Sequence, residues 1–74
     1  MNIDIRKYII NNFKSDSKEV IEKSIISSIN EKDEVTLPGM GVFMELLWNG
    51  SDNNMKKKIL DILENQIKKE LSLM

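Results

Sequence analysis

Between Asp52 and Leu71 the apolar residues keep a single period. At 100° per residue, Met55, Ile59, Leu60, Ile62, Leu63, Ile67 and Leu71 share one arc of about 180°. Lys57, Lys58, Asp61, Lys68 and Lys69 fall opposite. This pattern predicts an amphipathic helix over Asp52–Leu71, with Ser51-Asp52 supplying its N-cap. A helix with such a stripe must lie against other apolar surface, so the remainder of the chain is read for what could cover it.

Two further helical stripes precede it. Ile5, Ile9 and Phe13 recur every four residues with Ile10 beside them, which predicts a helix over Ile3–Phe13 capped by Asn2 or Asp4. Ser15-Asp16-Ser17 breaks that pattern, and Asp16 with Glu19 three residues on resembles a capping box. A second helix is expected over Lys18–Asn30, its apolar side formed by Val20, Ile21, Ile25, Ile26 and Ile29.

Glu31-Lys32-Asp33-Glu34 reads as a charged connection. Val35-Thr36-Leu37 is expected to be extended, as a residue before proline prefers, and Pro38-Gly39 to form a turn. Then comes the dense block Val42–Trp48, in which only Glu45 is polar. Seven such residues suit a short buried helix or a central strand, and periodicity leaves both open. Asn49-Gly50 closes the block as a helix C-cap would. The expectation is an all-α fold, one small domain over residues 1–74, with three amphipathic helices around a short buried one. Val42, Phe43, Leu46, Leu47 and Trp48 are expected to plug its core, so that Lys in place of Leu47 would unfold it.

Composition narrows the chemistry. Cys and His are both absent, which removes disulfides, thiolate nucleophiles, the usual zinc sites and the commonest general base. No catalytic residue, metal ligand or cofactor is therefore assigned, and no small-molecule substrate is evident. With 41% apolar and 31% charged residues and a net charge of −1, the chain fits neither a disordered acidic tail nor a membrane protein. No apolar run approaches the ~20 residues that span a bilayer. Met1-Asn2-Ile3-Asp4 carries an acid where a secretory leader carries bases, so export is not expected. Ala is absent while Ile occurs 11 times and Asn 8 times, a pattern read as AT-rich codon usage.

Three features invite functional readings. Gly39-x-Gly41 ahead of a helix could cradle a phosphate, but it lacks the third glycine of a dinucleotide fingerprint and the Gly-Lys-Ser/Thr of a P-loop. Residues 33–52 also carry Asp33, Glu34, Glu45 and Asp52 against no Lys or Arg, a field hostile to anions. Lys57, Lys58, Lys68 and Lys69 could make weak nucleic-acid contact, although Asp61 and Glu64 sit at i,i+4 from Lys57 and Lys68 and answer their charge. The carboxylate pairs Asp33-Glu34 and Glu19-Glu22 read as surface or capping groups. Trp48 reads as core, and Leu71, Leu73 and Met74 as an apolar tip that could dock on the domain or a partner. Homo-oligomerisation stays open, because a domain this small buries only about 60% of its unfolded surface.

The stretch from Leu37 to Trp48 resembles the hallmark of the minor small acid-soluble spore proteins of the I type, from endospore-forming Firmicutes. Leu37, Pro38, Gly39, Gly41, Val42, Glu45 and Trp48 match that pattern of Leu-Pro-Gly-apolar-Gly-Val, two apolar residues, Glu, two apolar residues and Trp. The opening Met1–Lys7 and Asn12 are also similar to the family's. The resemblance implies a forespore-expressed, non-enzymatic protein of the spore core, with a structural or protein-interaction role or, alternatively, weak non-specific DNA association. It implies no catalytic or binding residue. The Gly-rich, Glu-Ile-Ala motifs of the abundant DNA-coating spore proteins do not occur here, nor does the basic arm that follows the glycine turn of histone-like DNA-binding proteins.

Overall fold

The computed structural model describes residues 4–72. Among them the chain forms four α-helices and one 3₁₀ turn, with no strand. The helices are α1 (Ile5–Phe13), α2 (Lys18–Glu31), α3 (Leu37–Gly50) and α4 (Asn53–Ser72), and the 3₁₀ turn Glu34–Thr36 leads into α3.

Each boundary has a local cause. Asp4 caps α1, its side chain accepting a hydrogen bond from the Lys7 backbone N–H at 3.1 Å. Asn2 and Ile3 lie outside the described residues. The expected capping box at Asp16 does not form. Ser17 is the N-cap of α2 and makes no side-chain cap bond, while the Asp16 N–H donates back to the Phe13 carbonyl at 3.0 Å and closes the turn after α1. Helix α2 ends at Lys32, a residue in the left-handed region at φ 53°, ψ 28°. Gly or Asn usually supplies this conformation.

The Val35–Gly39 segment differs most from expectation. Asp33 accepts from the Val35 N–H at 3.0 Å, and its carbonyl receives the Thr36 N–H and hydroxyl, winding the segment into the 3₁₀ turn in place of an extended strand. Leu37 is then the first residue of α3 and Pro38 the second, so the Leu-Pro-Gly triplet starts the helix and is no turn ahead of it. Proline fits here because first-turn N–H groups have no helical partner and its fixed φ suits the helix. No glycine has a positive φ. Gly39 faces α1, where a Cβ would stand in ordinary van der Waals contact, 3.6 Å from Ile9 Cδ1.

Helix α3 is therefore twice the length of the Val42–Trp48 block and is less buried than the block implied. Val42 is buried and Phe43, Met44 and Trp48 are half-buried, but Leu46 and Leu47 are exposed at 47% and 51%. They do not plug the core, and the expectation that Lys at position 47 unfolds the chain falls with that placement. The block is a helix whose faces divide: Val42 is buried and Phe43 meets Phe13 of α1, while Leu46 and Leu47 turn toward open surface.

The packed body is the meeting of α1 and α3. Phe13 and Phe43 stack edge to face, with ring centroids 5.2 Å apart and planes inclined at 72°. Arg6 grips Glu45 with two hydrogen bonds of 2.7 and 2.8 Å, a fork-to-carboxylate pair that ties the start of α1 to the middle of α3. The Arg6 guanidinium holds the Glu45 carboxyl below the usual glutamate range.

Helix α4 meets this body at its base. Asp52 accepts from the Met55 N–H at 2.8 Å, Ser51 Oγ donates to the Leu47 carbonyl at 2.6 Å, and Lys56 Nζ lies 5.2 Å from the Trp48 ring centroid. Ile59 is buried. From Leu60 to Leu71 every residue is exposed. The result is an open molecule, with a radius of gyration of 14.2 Å. A compact chain of this length would have about 11 Å.

Candidate functional site

A groove of about 590 Å³ lies between α1, α2 and α3. Ile9, Ile10 and Phe13 line it from α1, and Ile21 and Ile25 from α2. The α3 wall is Met40, Phe43, Met44, Leu46 and Leu47. Lys14 is the only ionisable side chain among the lining residues. On the α2 side, Ile21 and Ile25 are half-buried against the groove, while Val20, Ile26 and Ile29 are exposed. A second, smaller cleft of about 320 Å³ lies toward the 3₁₀ turn and brings the hydroxyl-bearing Ser24, Ser28 and Thr36 near Tyr8 and Val35.

An apolar groove with one lysine can hold an apolar side-chain face by burial. It holds no arrangement of acid, base and nucleophile. Among the described residues no three His, Cys, Asp or Glu side chains cluster as a metal site would need, and no helix is long and apolar enough to cross a membrane.

The residues singled out in the sequence separate into two groups. Leu37, Pro38, Gly39, Gly41, Val42, Glu45 and Trp48 all lie on α3, where they set its start, its contact with α1 and the seat of α4. Glu45, the one polar residue of the block, is the partner of Arg6; their separation of 39 positions hid that contact from any local pattern. Trp48 is half-buried under Lys56 and not sealed in a core. Gly41 has open space where its Cβ would be, so no close approach requires it.

Lys57, Lys58, Lys68 and Lys69 are all exposed on α4. Lys57 and Lys68 differ by about 20° around the helix and about 16 Å along it, as do Lys58 and Lys69. They form two rows on the side away from the apolar stripe. Glu64 lies 3.7 Å from Lys68, as the i,i+4 spacing anticipated, whereas Lys57 and Asp61 make no ion pair among the described residues. The apolar tip expected from Leu71, Leu73 and Met74 has only Leu71 within the described residues, and it is 64% exposed.

Comparison with known proteins gives a consistent answer. Residues 3–67 match the family model described as small, acid-soluble spore protein I. The chain is 32% identical over 69 residues to a small, acid-soluble spore protein I of Bacillus cereus, covering 93% of this chain and all of the relative. Relatives of the same name from Bacillus mycoides and Bacillus anthracis align over the same shares at 32% and 30% identity. No solved structure matches.

Proposed function

The chain belongs to the small, acid-soluble spore protein I family, and from that premise we propose a non-enzymatic protein of the spore core that acts by binding protein surface. Membership makes it a sporulation protein associated with the spore, from a family that is not a known enzyme family. The observation that carries the interaction role is the 590 Å³ groove, whose lining offers apolar side chains and a single lysine. Such a surface binds by removing apolar area from water, at about 25 cal/mol per Å². It offers nothing to polarise a bond.

Fractionation of purified spores tests the reading. After coat removal and rupture, the protein is expected in the soluble core fraction and absent from vegetative cells. Recovery with the coat, or equal abundance in vegetative cells, would contradict it.

A second reading is favoured by the two exposed lysine rows on α4, which could meet DNA phosphates. Titration of duplex DNA separates the two, since phosphate contact weakens steeply with salt. Saturable binding that collapses as salt rises would support DNA association; absence of binding at low salt would remove it.

A further inference from the structure

We propose that the groove between α1, α2 and α3 receives the apolar face of α4 from a second copy of this chain, in a reciprocal two-fold pair. The proposal rests on the interaction reading above and names its partner.

The first argument is area. The chain exposes 6725 Å², whereas a folded monomer of 8.6 kDa is expected to expose about 4,700 Å². The excess, roughly 2,000 Å², is larger than the ~800 Å² per partner that a standard interface buries. Part of the exposed apolar surface lies on the two faces in question. Leu46 and Leu47 stand open at the groove, and Leu60, Leu63, Ile67 and Leu71 stand open along α4, 42–64% exposed across the six.

The second argument is fit. Leu60, Leu63, Ile67 and Leu71 recur at spacings of three and four, so they form one stripe about 17 Å long. The groove is the matching shape, walled by three helices and lined by apolar side chains. Charge agrees as well: Lys14 is the groove's one charged lining residue, and the carboxylates Glu64 and Glu70 flank the α4 stripe on either side. Like-signed flanks would have opposed the docking.

The third argument is closure. A chain that carries both a groove and a matching helix face satisfies both at once when two copies exchange them about a two-fold axis. The chain's own α4 is held elsewhere. Its base is held by Ser51 Oγ on the Leu47 carbonyl, by Lys56 over Trp48 and by buried Ile59. Swinging it back over its own groove would break these contacts.

Sedimentation equilibrium of the purified chain over a concentration series tests the pairing. The expected mass is twice 8.6 kDa at high concentration. A mass of one chain throughout overturns the proposal, whether the monomer is compact, with α4 folded back, or extended, with its groove kept for a different protein. Two variants then locate the interface. Leu63→Glu spoils the helix face and Leu47→Lys spoils the groove, and each alone is expected to sediment as one chain. Mixed in equal amounts they restore one intact groove-and-helix contact, so the doubled mass is expected to return. Should either variant alone lose its helix, recovery of the helical circular dichroism signal on mixing reports the same pairing. A Leu47→Lys protein that still dimerises, or a mixture that restores neither mass nor helix, overturns the proposal. Spore fractionation does not bear on these outcomes, so failure of the pairing and failure of the spore-core reading are told apart.

Discussion

The α1–α3 contact and the α4 helix both carry apolar stripes, yet the fold uses them differently. On α3, Val42 is sealed, Phe43 meets Phe13, Gly39 lies beside Ile9 and Glu45 holds Arg6. On α4 the stripe is longer and more regular, but among the described residues it is buried only at Ile59 and exposed from Leu60 to Leu71. A helical stripe states that a face must be covered. It does not state by which surface, nor whether that surface lies in the same molecule.

The largest expected effect separates two residues of the same apolar block. Val42→Asp places a charge at a buried position, at a cost of about 3 kcal/mol or more, and should abolish cooperative melting followed by circular dichroism. Leu47→Lys should keep its cooperative melt, because a side chain half open to solvent can carry an ammonium into water. Reversal of the two results would break the division of α3 into an inner and an outer face.

Next comes the aromatic contact. Phe13→Ala removes the edge-to-face partner of Phe43 and should cost about 2 kcal/mol in chemical denaturation. That is below the roughly 3–5 kcal/mol of a fully buried Phe, since Phe13 is half-buried. A smaller effect of opposite sign is expected at Gly41. It lies inside α3 with open space at its Cβ position, so Gly41→Ala should stabilise by about 0.5–1 kcal/mol through helix propensity alone. A loss there would mean that Gly41 does more than occupy an open helical position.

The smallest effect is the Arg6–Glu45 pair, whose side chains are 67% and 46% exposed. Exposed pairs are screened and contribute little. Its sign is nevertheless fixed by linkage. The Arg6 hydrogen bond lowers the Glu45 pKa in the folded chain, so the pair's contribution is complete above the ordinary glutamate range. It is lost as pH falls through the lowered folded value. Glu45→Gln should therefore melt slightly below the parent at neutral pH and together with it in strong acid. An unchanged gap in strong acid would show that the carboxylate charge is not what holds the pair.

How much of this was legible in the sequence follows from range. The helical period of α1, α2 and α4 is a local property, and their positions were readable to within one or two residues wherever the ends are described. The start of α3 was misplaced because Pro-Gly is a stronger turn signal than the Asp33 cap that winds Val35 and Thr36 into a 3₁₀ turn. Leu46 and Leu47 were assigned to the core because their block is uniformly apolar, and periodicity cannot sort the faces of such a block. The Arg6–Glu45 bridge and the groove depend on how α1 meets α3, so no single segment announces them. The family motif was readable in full, but its physical work was not: Glu45 serves the α1–α3 tie and Trp48 serves the seat of α4.

Amide hydrogen exchange at two protein concentrations tests the central claim most directly, because it reads both regions in one experiment. The amides around Val42 should be protected in dilute solution. Those from Leu63 to Leu71 should exchange rapidly there and gain protection as concentration rises and a second copy covers them. Equal, concentration-independent protection along α3 and α4 would contradict the account, since it would mean that the chain covers its own last helix.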